Sequence, residues 1–405
     1  MSVDDAARVK ELLLTAPVPP ARVDLDRAIT DGRRRERGRR LIWTAGSATL
    51  VALVVTGGVA GVDQLRTVPA GKPVAPPASV ATSTSPSAPP SPSASPTADG
   101  CTVADLPGLT GLMPTIVDPT GTYVVVDQVV EAGDAWQAVL VTGGQRTTLP
   151  LPAGTTNQQT YGINASGWMV GMASNGPSDR VAFELKNGKA TKLPKLPGYQ
   201  HSKASAINAA GDIVGAAWND GADVPVLWPA AAPGTVKRLG SGAGAAMAVG
   251  DDGTIAGTAG DGEAPWIWDT QGNGHALATP PGVVQGKVFA IRGDWAVGWA
   301  GTTATGEVGL ARWNLRTGAV DTFGGMAGPS RMVNARGDLV VGLSGGGDNT
   351  VIRDGSPLVL GTGPYNGGTA SALWISDDGR TVIGSVSSLE GGGGQTAIHA
   401  VTWHC

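Results

Sequence analysis

The chain has 405 residues, of which 62 are glycine and 29 proline; 15% are charged and the formal net charge is −4. So much glycine with so little charge excludes a long helical assembly and points to many short strands joined by tight turns. Residues 1–40 carry ten basic and seven acidic side chains, net +3, and residues 101–405 carry 17 basic and 24 acidic, net −7. That balance excludes the larger part as an evident nucleic-acid surface.

In chain order, residues 1–40 read as a short cytoplasmic head with two helices, about 4–14 and 23–40, separated by "APVPP". The head holds neither Cys nor His, so a zinc-type anti-sigma motif is absent. Topology and attraction to anionic lipid account for its arginine cluster. Leu41–Val62 is 22 residues without a charge. At a rise of 1.5 Å per residue it spans about 33 Å, enough for one transmembrane helix. Six arginines between Arg33 and Arg40, against Arg66 alone on the far flank, place the N-terminus in the cytoplasm. The 40 residues before the apolar run, and the length of the run, set it apart from a cleaved signal peptide. Residues 63–100 form a Pro/Ser/Thr-rich tract that cannot bury a core. They are expected to be a disordered stalk with a reach of about 100 Å. The expected localisation is therefore the cell membrane, single-pass, with the C-terminal domain extracellular.

From residue 101 the chain repeats. "INASGWMVG", "INAAGDIVG", "VGDDGTIAG", "IRGDWAVG", "VNARGDLVVG" and "ISDDGRTVIG" align on Gly171, Gly215, Gly257, Gly298, Gly342 and Gly384, at spacings of 44, 42, 41, 44 and 42. A weaker first copy, "VDPTGTYVVVDQV", has Val125 in the glycine position. A period of 41–46 is that of a four-stranded propeller blade. Each unit opens with an apolar residue and an Asn/Asp-Gly reversal, then a strand, then a second hairpin such as "LKNGK". Trp228, Trp268, Trp313 and Trp403 end the third strand of their units and suit the space between adjacent twisted sheets. The sixth unit, "TVIRDGSPLVLG", carries Arg353 where that Trp is expected, and Gly250 and Arg292 stand where other copies have Asn.

"INASGWMVG" with "VAFELKNG", and "INAAGDIVG" with "VLWPA", resemble HAF-type extracellular repeats over about residues 117–405. The head resembles those of actinobacterial single-pass membrane proteins. The repeat resemblance implies a propeller-like fold outside the cytoplasm and no fixed activity. The fold class is thus all-β: a seven-bladed β-propeller over 101–405, preceded by a head (1–40), a transmembrane helix (41–62) and a stalk (63–100).

The last unit reaches its third strand at "AIHAVTWHC", and its fourth strand is expected from "CTVADLPGL" at the start of the domain. Cys101 and Cys405 then stand where a hairpin turn joins those strands in the other blades. A disulfide between them would replace that turn, close the ring and require an oxidising compartment.

No catalytic, cofactor or metal site is expected. "GLSGG" (Gly342–Gly346) fits a nucleophile elbow around Ser344, but it is the repeat's own V-G strand and loop. His201, His275, His399 and His404 lack metal spacing, and the last two fall on opposite faces of one strand. The "DDG" runs at Asp251–Gly253 and Asp377–Gly379 have too few oxygen ligands for a calcium loop and read as turns. Gly391–Gly394 reads as a flexible loop. The leading expectation is a non-catalytic binding or interaction scaffold. Its protein or glycan partner would sit on a propeller face or at the channel, against the loops after the "VG" strands. The alternatives are a transmembrane sensor or anti-sigma-like protein whose residues 1–40 bind a cytoplasmic partner, and an extracellular glycan hydrolase or lyase.

Overall fold

The computed structural model describes residues 100–129, 136–176, 179–260, 264–283, 285–301, 308–323, 332–341, 350–365, 368–390 and 395–405. The expected head, membrane helix and stalk lie outside the described residues, save for residue 100. So do Ser344 and Gly391–Gly394.

The strands form seven sheets, each antiparallel. Blade 1 runs Ile116–Val117, Val124–Val129, Trp136–Thr142 and Gln145–Thr148, and the next five follow in chain order. Within each blade the strands lie side by side in sequence, and we letter them a to d from the channel outward. The a strands of neighbouring blades touch one another from blade 7 through blade 1 to blade 5, including Ile116–Val117 of blade 1 against Thr369–Ile375 of blade 7. In blade 6 three strands are found among the described residues, and the first is represented by a single bridge from Val333 to Leu339.

Blade 7 is closed by the other end of the domain. Thr102–Asp105 pairs with Gln395–His404, with Thr102 opposite His404 and Val103 opposite Trp403. Cys101 and Cys405 form the expected disulfide, with Cα atoms 4.2 Å apart. The chain is a seven-bladed β-propeller.

The apolar core is divided among the interfaces between blades. Seven hydrophobic clusters each draw from two consecutive blades. One joins Val125 and Ala138 of blade 1 to Met169 and Phe183 of blade 2, and another joins Trp374 and Ile383 of blade 7 to Val117 and Val124 of blade 1. Trp228, Trp268, Trp313 and Trp403 are all buried at the interface with the preceding blade. Three of them also pair their one polar atom. The indole N–H donates to a carbonyl just past strand d of that blade, Trp228 to Pro194 (2.8 Å), Trp313 to Ala278 (2.7 Å) and Trp403 to Gly361 (2.7 Å). This meets the demand that a buried indole find an acceptor. Register corrects the expectation for Arg353. The residue opposite Val340, equivalent to the Trp position, is Val351, and it is fully buried. Arg353 lies two residues further on and donates to the Gly379 carbonyl of blade 7.

The hairpins follow the turn chemistry. "LKNGK" closes with Asn187 and Gly188 both at positive φ (51° and 72°), a two-residue turn whose twist matches the strands. The repeat glycine has a different cause. Strand a carries a β-bulge at the same place in five blades. The bulge presses a strand a carbonyl onto the glycine of strand b. A Cβ on Gly215 would lie 1.8 Å from the Lys203 oxygen, and one on Gly298 would lie 1.7 Å from that of Lys287. In blade 1 the pairing of Ile116 with Val125 is regular, so Val125 is tolerated there. Gly215→Ala is therefore expected to cost about 3 kcal/mol, the upper part of the range for overpacking. Gly221→Ala, with nothing within 4 Å of the added carbon, should stay within about 0.5 kcal/mol. Urea unfolding of the two variants checks both values.

Candidate functional site: the channel and its mouths

One end of the channel is ringed by the turns between strands a and b. The equivalent positions are Asp118, Asn164, Asn208, Gly250, Arg292, Asn334 and Ser376, spaced by 42–46 residues. In six of the seven turns the carbonyl of this residue accepts from the N–H three positions on, as Asn208 does from Gly211 (3.1 Å). The asparagines are almost fully buried and use both ends of the amide. Asn208 Oδ1 accepts from Asp212 N (2.8 Å), while Nδ2 donates to the Gly250 carbonyl of the next blade (3.1 Å). Asn164 Nδ2 reaches the Asn208 carbonyl (3.1 Å), and Asn334 Nδ2 reaches that of Ser376 (2.9 Å). The repeat Asn thus folds its own turn and stitches it to the next.

Three of the four blades that lack the Asn are joined differently. Arg292 sits on blade 5. Its guanidinium holds Asp377 of blade 7 through Nε (3.0 Å to Oδ1) and Nη2 (2.6 Å to Oδ2). Its Nη1 lies 3.6 Å from Asp251 of blade 4. Each carboxylate also accepts a backbone N–H from the blade before it, Asp251 from Ala209 (2.8 Å) and Asp377 from Ala335 (3.0 Å). Five blades meet in this network, and the Arg292 side chain reaches past blade 6 to blade 7. Its hydrogen bond is the chief cause holding the Asp377 carboxyl below the ordinary carboxylate range, and the Asp377 bond in turn raises Arg292.

The "DDG" runs accordingly divide their work. The second aspartates make the turns, Asp252 accepting from Thr254 N (2.9 Å) and Asp378 from Arg380 N (3.0 Å). The first aspartates make the inter-blade network.

The channel wall is made by the a strands, where exposure alternates along each strand. Gln159, Lys203, Ala245, Lys287 and Ser371 occupy one level, next to the bulge and on the partly exposed side. Tyr161, Ser205, Met247, Phe289 and Leu373, the bulged residues themselves, occupy the next level. Tyr161 Oη donates to Gln159 Oε1 (2.7 Å). The connections between strands b and c, and between blades, lie at the opposite end from the Arg292 network. Several of them, including most loops after the "VG" strands, fall outside the described residues.

Two further carboxyls are perturbed. Asp127, on strand b of blade 1, is raised to about 7 by burial, against hydrogen bonds from Thr160 and Thr115. Asp223, between strands b and c of blade 3, is raised by burial and drawn back by the charges of Lys203 and Lys287.

The histidines do not converge. His201 packs on Trp218 with ring centroids 5.6 Å apart, and His275 is exposed on the outer strand of blade 4. His399 stacks on Tyr365 at 3.8 Å, with Nε2 3.2 Å from Ser388 Oγ, its diagonal cross-strand neighbour. His404 lies opposite Thr102. Among the described residues no group of three His, Cys, Asp or Glu side chains could hold a metal.

No protein-family model matches the chain, and no curated protein matches it in sequence. Solved structures do. An oligogalacturonate lyase in complex with manganese is 12% identical, with 75% of this chain and 93% of that chain covered at a TM-score of 0.51. An oligogalacturonate lyase from Vibrio parahaemolyticus is 10% identical, covering 76% and 94% at 0.50. A prolyl endopeptidase is 10% identical, covering 73% of this chain and 50% of that chain at 0.51. At these identities the likeness is of fold alone.

Replacing Arg292 by Met should cost about 1 kcal/mol at pH 7, the scale of a solvent-accessible ion pair. The sign with pH follows from Asp377. A carboxyl depressed in the folded state stabilises above its unfolded pKa, and the gain disappears as pH falls through the folded value. The gap between wild type and Arg292→Met in urea midpoint is therefore expected to hold from pH 7 to 5 and to close below about pH 4.

Proposed function

We propose that this protein is a membrane-tethered, extracytoplasmic binding scaffold whose partner or ligand meets the channel at the end opposite the Arg292 network. The observation that carries the reading is the asymmetry of the two mouths. A salt-bridged arginine ties blades together at one, while the wall toward the other presents lysine, glutamine, tyrosine and phenylalanine side chains at partial exposure. The placement outside the cytoplasm draws on the disulfide, which persists in oxidising compartments, on the arginines before Leu41–Val62, and on the HAF-type repeat pattern. A non-catalytic role fits four histidines spread over three blades without a shared centre. The sensor reading places its second partner on residues 1–40, outside the described residues.

The test has two arms. Protease treatment of intact cells should release fragments of residues 101–405 and leave residues 1–40 protected. Full-length protein should retain cell-envelope proteins or glycans that Ala245→Phe, which fills the channel wall, no longer retains, while His275→Ala, on the exposed outer strand of blade 4, retains them as wild type does. Protection of residues 101–405 in intact cells, or equal retention by Ala245→Phe, would refute the proposal.

A further inference from the structure

Lys203 and Lys287 stand at one level of the channel wall, each the residue just before the bulge pair of its strand. They belong to blades 3 and 5. The blade between them presents Ala245 at that level, preceded by Gly244, so no side chain longer than a methyl separates the two lysine stems there. Asp223 is brought to the same place by its backbone. Its carbonyl accepts from Gly244 N (2.8 Å), which docks the connection of blade 3 on the first strand of blade 4. Burial raises the Asp223 carboxyl, and the charges of Lys203 and Lys287 draw it back. One level further along the channel lie Ser205, Met247 and Phe289, a largely apolar floor. Two lysines and one aspartate are thus brought together beside that level, in a domain whose net charge is −7.

We infer that the wall formed by Lys203, Ala245 and Lys287 is an anion-binding site, taking a ligand that carries a carboxylate or a phosphate. The inference rests on the reading that ligands meet the channel at this end, and it adds their chemistry. The lysines supply point charges and up to three donors each. The gap over Ala245 admits the anionic group. The floor takes the apolar face of whatever bears it. Asp223 sets the strength, since it competes with the ligand for the same two cations and repels a second negative charge.

Calorimetric titration of the full chain in detergent with inorganic phosphate, with glucuronate and with glucose provides the test. Binding of phosphate or glucuronate, but not glucose, is expected. Lys203→Gln and Lys287→Gln should each weaken it about tenfold, the scale of one hydrogen bond to a charged group, and Lys203→Arg should restore most of it. Asp223→Asn should tighten it several-fold, a gain that general damage to the fold does not produce. Preference for phosphate or for glucuronate tells the two sources apart. Absence of binding to either anion, or equal affinity in wild type and both Gln variants at unchanged melting temperature, would overturn the inference. If anions fail while Ala245→Phe still abolishes partner retention, only the anion chemistry falls. If both fail, the scaffold reading falls with it.

Discussion

The closing of the ring is the constraint on which the rest depends. A blade of four short strands has two apolar faces and cannot bury either alone. Each of the seven clusters needs two consecutive blades, and the cluster of Trp374, Ile383, Val117 and Val124 exists only because blade 7 meets blade 1. Closure rests on four residues, Thr102–Asp105, paired with the strand that ends at His404. Such a short pairing adds little by itself. The bond between Cys101 and Cys405 removes the freedom of a loop of about 305 residues, worth up to about 5–6 kcal/mol in the chain-entropy model. The sulfur bridge also sits against the cluster of blades 6 and 7, next to Trp403.

Much of this was legible in the sequence because a repeat displays the same physics several times. The 41–46 residue period, the Asn-Gly turns, the tryptophans and the strand borrowed from the start of the domain all follow from local chemistry. The reason for the repeat glycine was not legible. It depends on a bulge in the neighbouring strand, which no pattern within "VG" reveals. Val125 looked like a degraded copy, yet it occupies the blade whose first strand pairs without a bulge. Arg353 looked like a defect at the Trp position, but register puts Val351 there. In both cases alignment by sequence spacing misjudged what only strand pairing fixes.

The channel-mouth network was hidden for a related reason. Gly250 and Arg292 stood out as missing asparagines, and "DDG" stood out twice as turn chemistry. That Arg292 joins the first aspartate of each run depends on the circular arrangement, which brings residues 85 positions apart within hydrogen-bonding distance. The signal was present as a coincidence. The arginine and the two extra aspartates stand on three of the four blades whose turns lack the Asn. The lysine pair on the channel wall was less legible still, since the level a side chain occupies depends on the bulge.

The two ends of the channel thus have different chemistry for different reasons. At one, buried asparagines and an ion-pair network satisfy turn backbones and bind blades together, so their polarity is consumed by structure. At the other, lysine, glutamine and aromatic side chains stand on the wall at partial exposure, with the Asp223 carboxyl under the influence of two of the lysines.

The central claim is that a covalent clasp holds the ring closed, and equilibrium urea unfolding of wild type and the Cys101→Ser/Cys405→Ser variant tests it most directly. A loss of several kcal/mol in a single cooperative transition, approaching about 5 kcal/mol, is the predicted result. Coincident unfolding curves for the two proteins would contradict the account.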